Sequence, residues 1–364
     1  MRPEYIIGIV LALLVIVGGG ALLFSAPEGD SLFSPLTGTD VGNGNGEKAG
    51  EPYVEIVNPS GFVNTDGITI GELVGKKIIL VDFMTYSCIN CQRTFPYVKA
   101  WYEKYKDQGL EIVAIHTPEF AFEKDIDNVQ KAMEENGINY PVVLDNDYAT
   151  WRAYKNNYWP RKYLIDINGS IVYDHIGEGA YEETEKKIQE LLKERAEVLG
   201  LGDVGEDSGL ATDSISDVEI SARSPETYFG SARNEYLANG TPGKSGVETF
   251  EAPTVAFANR LYLVGTWNID GEYSEAVSDA RVIYRFNARE VYIVAEADSE
   301  GVIEVYQDGE LVTDVNRGES VGEDGFVVVR ESRLYKLIKN EKAGEHVLEL
   351  RVSPGIRLYA FTFG

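Results

Sequence analysis

Cysteine and histidine are nearly absent from this chain. Its 364 residues include two cysteines and three histidines. Two cysteines cannot supply the dispersed pairs that staple a small exported scaffold. His116, His175 and His346 lie far apart in the sequence, and without a second cysteine pair they do not assemble the four ligands of a structural zinc site. No metal is therefore expected. Positive charge is also scarce: 33 Lys and Arg stand against 59 Asp and Glu, a formal net charge of −26. Phosphate backbones are gripped by basic surfaces, so a nucleic-acid binder is excluded, and the acidic excess reads as solubility. What remains is an ordinary globular composition, 44% hydrophobic and 25% charged, long enough for roughly two domains.

One long apolar run stands out. Tyr5–Phe24 reads YIIGIVLALLVIVGGGALLF without a charge, and at about 1.5 Å per residue it spans roughly 30 Å, the depth of a bilayer core. Arg2 precedes it, and no Lys or Arg follows until Lys48. The positive-inside rule then places a short N-terminus in the cytoplasm and the remainder outside. A cleaved signal peptide is the rival reading, with secretion as its outcome. Residues 1–24 are thus an expected transmembrane anchor or signal segment, and the Gly-, Ser- and Asp-rich residues 25–51 a flexible tether.

Strand and helix signals alternate through residues 52–199. The apolar run Lys76–Met84 predicts a strand, and Phe95, Val98, Trp101 and Tyr105 mark a helix over Cys91–Asp107. A second strand follows at Leu110–Ile115, then a charged amphipathic helix at Phe122–Asn136. Lys162–Ile167 and Ile171–His175 flank Asn168–Gly169, a hairpin signal, before a closing helix at Ala180–Val198. This is a mixed α/β sheet covered by helices. A polar linker at 200–221 leads to residues 222–364, where short alternating strands such as Arg281–Phe286 and Val291–Ala295, separated by turns, predict an all-β jelly-roll sandwich.

The chemistry centres on Cys88-Ile89-Asn90-Cys91, which follows a strand and opens a helix. A sulfur at a helix N-terminus meets unpaired N–H groups and the positive end of the dipole, which favour thiolate, the attacking species in disulfide exchange. Cys88 is the expected nucleophile and Cys91, one turn on, the resolving thiol. Asp82 interrupts the apolar run IILVDFM; a carboxylate there is costly unless it works, and it is placed to relay a proton to Cys91. Pro96 should kink the helix. Trp159-Pro160 precedes a strand, where a cis bond would offer the Trp159 backbone to a bound cysteine segment. His116 and Glu119 follow the C-terminal end of a strand, the usual place for α/β sites. They are candidates to tune the dithiol, alongside Tyr86 and Ser87 on the substrate surface. Thr85-x-x-Cys88 also hints at a peroxidase motif, but Val81 stands where that motif has proline.

The run ILVDF–x5–CxxC–x4–Pro together with Trp159-Pro160 resembles the thioredoxin superfamily. The segments TYSCINCQRTFPYVKAWYEKY, HTPEFAFE and NNYWPRKYLIDINGSIVYDHIGEG, with SPETYFG and RLYAFTFG, resemble the C-terminal half of DipZ-type proteins. That resemblance implies a TlpA-like redox domain joined to a carbohydrate-binding-module-like sandwich, and it makes the cis-proline assignment for Pro160 the expected one. Trp267, Tyr228, Phe229, Tyr262 and Tyr273 would then be candidates for a sugar-stacking platform on an envelope glycan. It implies no cofactor beyond a redox-active Cys88–Cys91 disulfide, with disulfide-containing exported proteins as substrates. DipZ-type proteins carry a multi-helix electron-conducting domain, whereas this chain has one apolar run, so a separate CcdA/DsbD-like membrane electron donor is expected.

Overall fold

Residues 78–84 read IILVDFM, and the β-branched and aromatic side chains fit a strand buried on both faces. In the computed structural model, which describes residues 50–202, 209–215 and 222–364, this segment is the wholly buried strand β3 (Ile78–Met84) at the centre of a seven-stranded sheet. The strands before it are β1 (Glu51–Pro52) and β2 (Gly61–Val63), and the short helix α1 (Ile70–Leu73) leads into it. After it come α2 (Ile89–Tyr105), β4 (Leu110–His116), α3 (Ile126–Glu135), β5 (Val142–Leu144) and α4 (Ala149–Ala153). The hairpin β6 (Arg161–Ile165) and β7 (Ser170–Ile176) and the helix α5 (Tyr181–Leu199) close the set. The strand order is β1-β7-β6-β3-β4-β5-β2, with β3, β4 and β5 parallel and β6 antiparallel to β3. This is the α/β layer that the strand–helix alternation predicts.

Alternation along β3 sorts its side chains between two cores. Ile79, Val81 and Phe83 pack on one side, while Ile78, Leu80 and Met84 join Val98, Trp101 and Ile188 of α2 and α5 on the other. Asp82 shares the parity of Leu80 and Met84, so it points under α2. The expected helix at 122–136 is split. A 3₁₀ turn at Ala121–Lys124 precedes α3, whose N-cap Asp125 accepts from the Asp127 N–H.

Between residues 222 and 364 the regular elements are all strands: β8 (Thr227–Tyr228), β9 (Gly246–Phe250), β10 (Leu261–Ile269), β11 (Ser274–Ala297), β12 (Gly301–Gln307), β13 (Glu310–Leu311), β14 (Phe326–Val329), β15 (Arg333–Val352) and β16 (Ile356–Phe363). The separate strands expected at Arg281–Phe286 and Val291–Ala295 are one strand, β11. From Arg281 to Ala295 it pairs with β15, and it shifts register between Ala288 and Glu290 and again between Val291 and Tyr292. A bulge bends a strand without ending it. The first half of β11 therefore joins β10, and its second half joins β16. Two faces result, sharing one core in which Tyr284 meets Phe361 and Phe363. Unlike the two separate sheets of the expected jelly roll, these faces are continuous through β11 and β15.

The two halves are not independent beads. The described residues belong to one compact unit, and Tyr292, Val294, Leu334, Tyr359 and Ala360 of the β half lie in the same buried cluster as α2 and β3. The described part of the expected linker, residues 209–215, is docked on α5 through the buried Glu185. That carboxylate accepts from Trp101 Nε1 (3.1 Å), Tyr105 Oη (2.6 Å), Thr212 Oγ1 (2.7 Å) and the N–H groups of Ala211 and Thr212. The apolar run Tyr5–Phe24 and the tether lie outside the described residues. Among the described residues no helix is long and apolar enough to cross a membrane.

Candidate functional site

The sheet delivers β3 to the site and α2 carries the chain away from it. Cys88 is the N-cap of α2, with φ −77° and ψ 119°, and its carbonyl accepts the Gln92 N–H at 3.0 Å. It is half-buried, whereas Cys91 has no exposed surface, and both are free thiols. Pro96 lies inside α2 without ending it. Burial pushes the Cys91 thiol well above the ordinary range. The hydrogen bond and charge of Cys88 add to this, and a hydrogen bond with the Thr85 backbone opposes it.

Asp82 is wholly buried and faces Lys162 across the β3–β6 ladder, with Lys162 Nζ 3.7 Å from Oδ1. Lys162 is itself 1% exposed. Burial raises the Asp82 carboxyl and Lys162 holds it down. Among the described residues, both Asp82 oxygens, Lys162 Nζ and the Tyr140 hydroxyl have no hydrogen-bond partner. Burial, and after it the charges of Asp82 and Cys91, push the Tyr140 hydroxyl up, so Tyr140 belongs to the same buried polar cluster as Asp82 and Lys162. Lys162 and Tyr140 escaped the sequence reading. Lys162 looks like an ordinary polar start to a strand, and only the cross-strand register reveals it.

The other predicted residues divide. The Trp159–Pro160 bond is cis, and Trp159 donates from Nε1 to the Thr117 carbonyl (3.1 Å) beside Trp151. Tyr86 and Ser87 do not form a substrate surface: they are 3% and 1% exposed. The Tyr86 hydroxyl instead donates to the Ser332 carbonyl of the β half at 2.9 Å, and its ring stacks on His116. His116 is wholly buried and pushed down to about 3 by that burial. A neutral imidazole has no charge with which to tune the dithiol. Glu119 is held by Arg233 (2.8 Å) and Tyr228 (2.9 Å), again across the two halves.

The same contacts correct the expected sugar platform. Trp267 and Phe229 are wholly buried in the β core, with Trp267 Nε1 donating to the Val264 carbonyl. Tyr262 is 5% exposed. Tyr228 lies under the Arg233 guanidinium at 3.7 Å, and Tyr273 packs on Tyr359 beside Arg357. Stacking on a sugar needs an open ring face, which the buried Trp267, Phe229 and Tyr262 do not offer; Tyr228 and Tyr273 are half-buried. Among the described residues no cluster of His, Cys, Asp and Glu is arranged to hold a metal.

With this geometry in view, comparison with known proteins is decisive. Residues 59–192 match the Redoxin family and residues 224–364 the thioredoxin-like C-terminal domain family. The thiol-disulfide oxidoreductase ResA of Halalkalibacterium halodurans is 33% identical over 149 residues, 41% of this chain and 80% of ResA. The chain belongs to the thioredoxin-like thiol–disulfide oxidoreductases. Within that family, Protein DipZ of Mycobacterium bovis is 36% identical over 311 residues, which is 84% of this chain and 42% of DipZ. The chain thus spans about two fifths of the length of DipZ. A thioredoxin-like protein solved in its oxidised form superposes with a TM-score of 0.37 at 28% identity, covering 40% of this chain and 97% of that one. With 311 of its 364 residues matched, the chain is similar to DipZ in both its α/β and its β half.

Proposed function

We propose that the protein is a membrane-tethered, extracytoplasmic thiol–disulfide oxidoreductase that acts on disulfides of exported proteins. The observation that carries this reading is the asymmetry of the two thiols: Cys88 at the helix entrance is reachable, and Cys91 one turn inward is not. The Cys88 thiolate attacks one sulfur of a substrate disulfide, and the other sulfur leaves as a thiolate that takes a proton from water. The resulting mixed disulfide brings Cys91 into play. Its proton passes to Asp82 in the buried polar cluster, and the Cys91 sulfur attacks Cys88. The second substrate thiol is released and a Cys88–Cys91 disulfide remains. Two electrons have moved to the substrate, so a dithiol donor must restore the enzyme, and a CcdA/DsbD-like membrane protein fits that need. The cis Pro160 segment, with Trp159 at its edge, would line the substrate's path to Cys88.

Tethering rests on the uncharged run Tyr5–Phe24 and the charge bias around it. Reduction of insulin disulfides by the wild type, abolished in Cys88→Ser, is the expected result, and equal rates in both would refute the enzyme reading. Cys91→Ser should trap mixed disulfides at Cys88. Mass spectrometry that finds none in Cys91→Ser, but finds them at Cys91 in Cys88→Ser, would reverse the assignment of nucleophile and resolving thiol.

A further inference from the structure

Glu123 is a charge the proposed mechanism does not use. It sits in the turn Ala121–Lys124 with no exposed surface. One of its oxygens accepts from Thr85 Oγ1 (2.6 Å), Ser87 Oγ (2.6 Å) and the Ser87 N–H (3.3 Å). The other accepts from the N–H groups of Glu119 and Phe120. These five donors come from two loops: the segment that delivers Cys88 to α2, and the segment that meets the β half.

We infer that Glu123 is a positioning residue of the redox site, a buried anion that fixes the Thr85–Ser87 segment and sets the balance between dithiol and disulfide. A group that accepts five hydrogen bonds and donates none is an ionised carboxylate. Its two hydroxyl contacts have the length of O–H···O⁻ bonds, about 2.5–2.7 Å. Burial pushes this carboxyl up, and the Ser87 and Thr85 hydroxyls hold it down. A fixed negative charge next to Ser87 opposes a second one on the adjacent Cys88. It does not oppose a neutral disulfide, so it favours the oxidised form. The loop on its other side is held by the β half: Glu119 pairs with Arg233, Phe120 packs on Tyr359, and the Ala121 N–H donates to Glu272. Glu123 therefore ties the redox loop to the β half as well as charging its surroundings.

The inference rests on Cys88 being the reactive thiol, and the test separates the two claims. Glu123→Gln keeps the shape and removes the charge. In the full chain, its equilibrium with glutathione should shift about tenfold toward the dithiol, about 30 mV for a two-electron couple. Iodoacetamide should modify Cys88 severalfold faster at pH 7. A merely structural role would lower the melting temperature and leave both readings in place. A folded Glu123→Gln protein within twofold of wild type on both readings overturns the inference. If that variant does not fold, Ser87→Ala, which removes one donor and leaves the Glu123 charge less offset by hydrogen bonds, should shift the same equilibrium toward the disulfide, and a shift below twofold overturns the inference. A wild type that neither reduces insulin nor reacts at Cys88 refutes the proposed function instead.

Discussion

Replacing Lys162 with Met removes the ammonium 3.7 Å from Asp82 and leaves that carboxyl with no cation in a fully buried strand. The carboxyl then stays in place only by taking up a proton. An unfolded aspartate titrates near 3.9, so holding the proton at pH 7 costs up to about 4 kcal/mol, at about 1.36 kcal/mol per pH unit. That falls within the roughly 3–5 kcal/mol expected when a buried pair loses one member. At pH 5 the same arithmetic gives about 1.5 kcal/mol. The sign follows from proton uptake: the folded carboxyl is raised above its unfolded value. The native state therefore binds more protons between those values, and stability falls as pH rises through that window. Urea unfolding of wild type and Lys162→Met at pH 5 and pH 7 should show a penalty up to about 2–3 kcal/mol larger at pH 7. The double variant Asp82→Asn, Lys162→Met should lose that difference. An equal penalty at both pH values would mean that Lys162 acts there only by filling space.

Other outcomes follow from the same contacts. In the folded reduced protein, iodoacetamide should label Cys88 and spare Cys91 until denaturant is added, as peptide mass mapping would show, because Cys91 has no exposed surface. His116 is held neutral to about pH 3, while its unfolded form takes a proton near 6.5, so it lowers stability as pH falls below that value. His116→Gln should therefore recover about 2 kcal/mol at pH 5 in the same unfolding assay. Trp267→Ala should cost about 3–5 kcal/mol through the cavity it leaves in the β core, measured by thermal unfolding, and a near-neutral result would contradict its burial.

The redox framework was legible because it is local. An apolar strand, a CxxC and an amphipathic helix follow one another within thirty residues of chain, Ile78 to Tyr105, and their periodicities give each element away. The cis bond at Pro160 came from resemblance, since sequence physics alone favours trans. What stayed hidden depends on distant register. Lys162 acquires meaning only opposite Asp82. Glu123 reads as one more acid on a charged helix, until a 3₁₀ turn rotates it inward. Tyr86 looks like a substrate contact because nothing local announces that Ser332 lies against its hydroxyl. The aromatic residues of the β half invited a sugar reading for the same reason: composition does not tell a core ring from an open one, and burial does.

The shared wall between the halves has a consequence for anyone handling the protein. Phe120 and Phe122 are roofed by Tyr359, and Arg93 by Tyr292. Severing the chain near residue 210 would strip both surfaces at once, wetting an oily strip on each fragment and taking the Tyr292 ring off the Arg93 guanidinium. Fragments cut there should stick to one another or to themselves, so the natural unit of study is the uncut polypeptide.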